Sequence, residues 1–161
     1  MQAKKLFPKI KLWIAIYFIY LFSGCYLETQ LDPSYSQIPK LGLSSIRDIS
    51  QWIAARTTYK DDGEIQYVQS PLETYQLQTG DCEDYAVFMM YLIHQELGGE
   101  PFLITGMRLD VCHAWVKYNG RYYEAQGGDD VTSNTKYVPE AEWDYYTTMY
   151  HAEVMHRTLT K

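Results

Sequence analysis

The chain has 161 residues, with 14 Lys and Arg against 20 Asp and Glu, for a net charge of −6. Once a leader is set aside, that length holds one small domain and one core. The acidic balance argues against a nucleic-acid partner, whose phosphates call for a basic surface.

Lys4, Lys5, Lys9 and Lys11 precede an apolar run from Leu12 to Phe22 that ends in Ser23-Gly24-Cys25. This is the layout of a secretory signal. The uncharged stretch, Leu12 to Leu27, falls short of the roughly 18 to 20 apolar residues of a comfortable helical span, so cleavage is expected over a permanent anchor. Ser23 and Gly24 before Cys25 resemble a bacterial lipobox, with Phe22 in place of the usual aliphatic residue. That resemblance implies a signal over residues 1–24, lipidation of Cys25, a tether over 25–42 and a folded domain over 43–161. The protein would then be exported and lipid-anchored to a bacterial cell membrane or outer membrane. Loss of residues 1–24 removes four of the 14 basic residues and none of the 20 acids, taking the net charge from −6 to −10. The remaining cysteines, Cys82 and Cys112, would sit where disulfides form, so a bridge between them competes with a catalytic role for either.

From Ser44 or Ser45 the pattern turns helical. Ile46, Ile49, Trp52 and Ile53 recur at three- and four-residue spacing, and Ser45 with Asp48 suits a capping box, predicting a helix to about Arg56. Lys60-Asp61-Asp62-Gly63 reads as a surface loop. Ser70-Pro71-Leu72-Glu73 starts a short helix that should run to about Gln78. Thr79-Gly80-Asp81 breaks it, and Tyr85 to Leu97, apolar on most faces, predicts a buried helix stopped by Gly98-Gly99 with Cys82 in its first turn. Pro101 to Thr105 is a short apolar run. Val111 to Tyr118 alternates before Asn119-Gly120, a hairpin turn, and Arg121 to Gln126 returns as the partner strand. Beyond Gly127 the pattern supports only a strand or short helix near Tyr150 to Met155.

A cysteine attacks as thiolate, and the free backbone N–H groups of a helix start favour that anion and can bind an oxyanion. Cys82 occupies such a position. Asp81, Glu83 and Asp84 oppose it by like charge, so a cationic partner is needed, and His113 on the hairpin strand is the natural one. Counting back from a two-residue turn pairs Tyr118 with Arg121, Trp115 with Glu124 and His113 with Gln126. Alternation places Cys112 on the face opposite His113, which argues against a Cys82–Cys112 bridge.

Gly80-Asp81-Cys82-Glu83-Asp84-Tyr85-Ala86 and His113-Ala114-Trp115-Val116 resemble the cysteine and histidine motifs of the transglutaminase-like superfamily, nearest to the bacterial transglutaminase-like cysteine peptidases. The resemblance spans about Ile46 to Gln126 and implies an α+β, papain-like fold, with the cysteine helix packed on a small antiparallel sheet. It implies Cys82 as nucleophile and His113 as base and later acid. For the third member, Glu124 is the motif match and Gln126 lies opposite His113 by register count, and both stay open at this point. The implied chemistry acts on amide bonds of a peptide or protein substrate, as a cysteine peptidase or amidase or by acyl transfer to an amine. A non-catalytic module that binds a peptide or envelope polymer in the same cleft is the alternative. No cofactor is expected. No metal is expected either, since Asp110, His151, His156 and His94 lack ligand spacing.

Overall fold

The computed structural model describes residues 37–63 and 67–159. The expected leader, the expected lipidation site at Cys25 and most of the expected tether lie outside these residues. Ser45 starts helix α1 (Ile46–Arg56), its hydroxyl accepting the Asp48 N–H at 3.1 Å, and Ile49 and Ile53 turn inward. A two-residue strand, β1 (Thr58–Tyr59), follows. Ser70 caps helix α2 (Pro71–Leu77) by accepting the Glu73 N–H at 3.3 Å, and Gln78 ends it in the left-handed region at φ 56°. Strand β2 (Thr79–Gly80) then pairs in parallel with β1, Tyr59 opposite Gly80. This small ladder fixes the chain one residue before Asp81 and Cys82.

Helix α3 (Cys82–Leu92) begins at the cysteine and is buried at every position from Asp84 to Leu92. It passes into a wider π-helical turn (Ile93–Leu97) before Gly98. A stretch apolar on most faces can only be satisfied at the centre of a fold. Here α3 packs against α1 and α2 and, most extensively, against the strand Val111–Tyr118.

The sheet runs β5-β4-β3-β6 and is antiparallel throughout. Its strands are β3 (Phe102–Arg108), β4 (Val111–Tyr118), β5 (Arg121–Tyr123) and β6 (Tyr137–Asp144). Asn119 and Gly120 have φ of 50° and 75°, the two positive values a type I′ hairpin turn requires. The fourth strand and the helix after it, α4 (Tyr145–Leu159), exceed the single short element expected beyond Gly127. Six of the eight residues of β6 are exposed, so an edge strand with little alternation left no period to read, and its pairing to β3 is what makes it a strand. A bulge between Thr105 and Gly106 accommodates that pairing, and a Cβ at Gly106 would meet the Val138 carbonyl oxygen at 2.2 Å. Among the described residues no helix is long and apolar enough to cross a membrane.

Candidate active site

Cys82 stands at the N-terminus of α3 because Asp84 folds back on the turn before it. The buried Asp84 carboxylate accepts the Asp81 N–H at 3.1 Å and the Gln69 N–H at 2.7 Å. Gly80 permits this approach, since a Cβ there would lie 2.6 Å from the Asp84 Cβ. The half-buried Cys82 thiol donates to the Glu83 carboxylate at 2.9 Å. Burial first, then the Glu83 hydrogen bond and charge, push the thiol up to about 12, while the Ala114 backbone N–H at the sulfur pulls it down. The helix start alone would favour a thiolate. In this arrangement desolvation and the acidic flank outweigh it and favour the protonated thiol.

His113 approaches from β4. Its Nε2 lies 2.8 Å from Glu124 Oε2, which leaves Nδ1 as the nitrogen free for chemistry. The same Oε2 accepts the Tyr137 hydroxyl at 2.7 Å, and Glu124 Oε1 accepts the Gln126 backbone N–H at 3.3 Å. Arg108 Nη1 stands 3.9 Å away. Burial pushes the Glu124 carboxyl up, and the hydrogen bonds from His113 and Tyr137 more than offset it, so its pKa is held below the ordinary value. The Tyr137 phenol is raised to about 12 by burial and by its bond to Glu124. Trp115 is fully buried with Ile104 and Val131 and packs edge-on to Tyr137 at 5.4 Å, so it serves as core beneath the histidine rather than as lining.

The hairpin register agrees with the count for three pairs only: Tyr118 with Arg121, Lys117 with Tyr122 and Val116 with Tyr123. The chain then leaves the ladder. The Glu124 N–H bonds the Asp129 carbonyl at 2.9 Å and the Glu124 carbonyl accepts the Gly128 N–H at 2.6 Å. The expected pairs Trp115–Glu124 and His113–Gln126 therefore do not form, and strand β5 stops at Tyr123 rather than Gln126. This departure swings Glu124 onto the imidazole, while Gln126 supports the carboxylate through its backbone.

Cys82 and His113 line one cavity of about 410 Å³, with Arg108, Cys112 and Gln126 beside them. Both described cysteines are free. Cys112 is exposed, its sulfur 3.9 Å from that of Met107.

One cluster escaped a search for metal ligands built on histidine spacing. Ligand atoms of Asp62, Asp81 and Asp84 lie within 4.8 Å of one another, as do those of Asp81, Cys82 and Glu83. Asp62 Oδ2 and Asp81 Oδ1 are buried with no hydrogen-bond partner among the described residues. Burial and the charges of Glu83 and Asp84 raise the Asp81 carboxyl, and burial raises that of Asp84 to about 7. Crowded carboxylate oxygens fit a hard divalent cation such as Ca²⁺, which would neutralise charge beside the thiol. The visible signal was the acidic run on both sides of Cys82.

No family model and no curated protein matches the chain. Among solved structures it is similar to LapG of Legionella pneumophila, at 15% identity over 70% of this chain and 75% of that one, with a TM-score of 0.52. It is also similar to EGTA-treated LapG from the same organism, at 14% identity over 61% of this chain and a TM-score of 0.50. The chain spans 64% of the length of that EGTA-treated structure. At such identity the likeness is one of architecture, and with the helix-borne Cys82 and the sheet-borne His113 lining one cavity it assigns this chain a papain-like α+β fold.

Proposed function

We propose that the chain is a thiol-dependent peptidase or amidase that acts on peptide or protein substrates. In this reading Cys82 is the nucleophile, His113 the base and then the acid, and Glu124 the residue that holds the imidazole. The observation that carries it is the 2.8 Å contact between His113 Nε2 and Glu124, in the cavity that also holds Cys82. His113 Nδ1 takes the thiol proton as sulfur bonds to the amide carbon, and N–H groups at the start of α3 receive the oxyanion. The tetrahedral adduct collapses to a thioester, and the imidazolium gives its proton to the departing amine. Water, deprotonated by His113, then cleaves the thioester and restores the thiol. An amine in place of water would give acyl transfer. Glu124 fixes the tautomer and stabilises the imidazolium.

The same reading places the protein at the bacterial cell envelope, held by a lipid on Cys25, with the cleavable leader as its support. A second reading, a cleft that binds a peptide or envelope polymer without turnover, is favoured by the thiol's bond to Glu83 and its pKa of about 12. Peptide turnover by the purified protein separates the two. Cys82→Ala should abolish it with the thermal melt unchanged, and Cys112→Ala should retain most of it. Equal loss in both variants, or no turnover by the parent in a broad peptide library, would favour the binding module.

A further inference from the structure

The rim of the cavity carries an anomaly of its own. Val111 and Leu109 are the two most exposed large hydrophobic side chains among the described residues, at 66% and 60%, and both line the Cys82–His113 cavity, as does Tyr59. Apolar side chains of this size gain nothing from folding while they stay exposed.

Leu109 is also set against its backbone. Arg108 pairs with Val111, so Leu109 and Asp110 form a two-residue turn between β3 and β4, with φ of 50° and 65°. Such turns favour asparagine, aspartate and glycine, and a leucine with positive φ is strained by its Cβ. The neighbouring hairpin of the same sheet shows the preferred solution, Asn119-Gly120 at 50° and 75°. Two turns of one kind thus differ in composition, and the one that departs from backbone preference borders the thiol. The Leu109 N–H bonds the Lys136 carbonyl at 3.2 Å, tying the turn to the segment that leads into β6. Arg108 is the nearby cation. Its side chain is 45% exposed and also lines the cavity, but its guanidinium lies 3.9 Å from Glu124 and 5.4 Å from the Tyr137 ring, so its charge is engaged beside Leu109 and Val111 rather than between them.

We propose that Leu109 and Val111 form a substrate lip that receives an aliphatic side chain flanking the scissile amide. The substrate class is then an extended peptide segment carrying an aliphatic residue beside the bond to be cut. This inference rests on the peptidase reading of the same site. A bound aliphatic side chain would cover both exposed groups, giving the strained turn a role that folding does not.

The test measures binding of two blocked peptides to the full chain by calorimetry, acetyl-Gly-Leu-Ala-Gly-amide and the same peptide with Asp for Leu. Binding does not require a reactive thiol. The leucine peptide should bind about tenfold more tightly, as expected for one aliphatic group in an apolar site. Leu109→Asn should remove most of that preference while raising the melting temperature, because asparagine relieves the turn. Val111→Thr should weaken the preference with no gain in melting temperature, which separates the lip from the strain. Equal binding of the two peptides, or a preference unchanged in both variants, overturns the proposal. A preference that depends on Leu109, in a protein that turns over no member of a broad peptide library, supports the lip and removes the peptidase reading instead.

Discussion

Replacing Glu124 with glutamine probes the site most directly, because it keeps the shape of the side chain and removes its charge. Glu124 is buried, and its Oε2 takes both the His113 imidazole and the Tyr137 hydroxyl. Hydrogen bonds to a charged group contribute about 1.5–3 kcal/mol against 0.5–1.5 for neutral pairs, so converting two of them should cost about 2 kcal/mol. For a domain of this size that lowers the melting temperature by about 6–8 °C. The pH dependence has a fixed sign. The folded carboxyl is held below its ordinary value, so its stabilisation is present above the unfolded pKa and fades as pH falls through the folded one. The gap between parent and Glu124→Gln melting curves should therefore be full at pH 7 and shrink below about pH 4. Turnover should fall at least about 100-fold, since the imidazole loses its anionic support. Gln126→Ala is the control, because only the Gln126 backbone N–H serves the carboxylate, and it should melt and turn over like the parent. If Gln126→Ala removes activity while Glu124→Gln spares it, or if the melting gap is the same at pH 7 and pH 3.5, the reasoning is refuted.

Gly80→Ala should destabilise the protein by about 2–3 kcal/mol, because the new Cβ would displace Asp84 from the Asp81 and Gln69 N–H groups. Thermal melts check this, and an unchanged melting temperature would show that the close approach is dispensable. Millimolar Ca²⁺ should raise the melting temperature at pH 8, EGTA should reverse the gain, and Asp81→Asn should blunt it. A melting temperature indifferent to both reagents would count against a cation among these carboxylates. Without a cation, stability should decline as pH rises from about 4 toward 7, because folding raises the Asp84 carboxyl to about 7 and the unfolded chain gives up that proton first.

Local signals were read well where local chemistry decides. Ser45 and Ser70 cap their helices, and the apolar run after Cys82 is the central helix. Asn119-Gly120 makes the hairpin turn and sets its first three pairs. Counting further failed at Glu124, because the loop through Asp129 and Gly128 offers that residue other backbone partners. The carboxylate reached His113 by leaving the strand, which a register count cannot anticipate. Strand β6 was invisible for a different reason: its exposed residues carry no period, and its pairing depends on β3, whose partner residues lie 29 to 42 positions earlier in the chain. The balance at the thiol was half legible. The opposing acids stood in the sequence, but the depth of burial that lets them outweigh the helix start did not.

The helix that presents Cys82 has no solvent-facing stripe after its first turn. A surface helix can fray or shift and leave the rest of a domain standing, but this one can move only if the whole interior opens. The reactive centre therefore cannot assemble ahead of the core. A nascent or damaged chain would carry Cys82 only as an ordinary exposed thiol, and the fraction of molecules with the assembled arrangement of Cys82 and His113 would follow the fraction globally folded. In the peptidase reading proposed above, that is a safeguard built from packing alone.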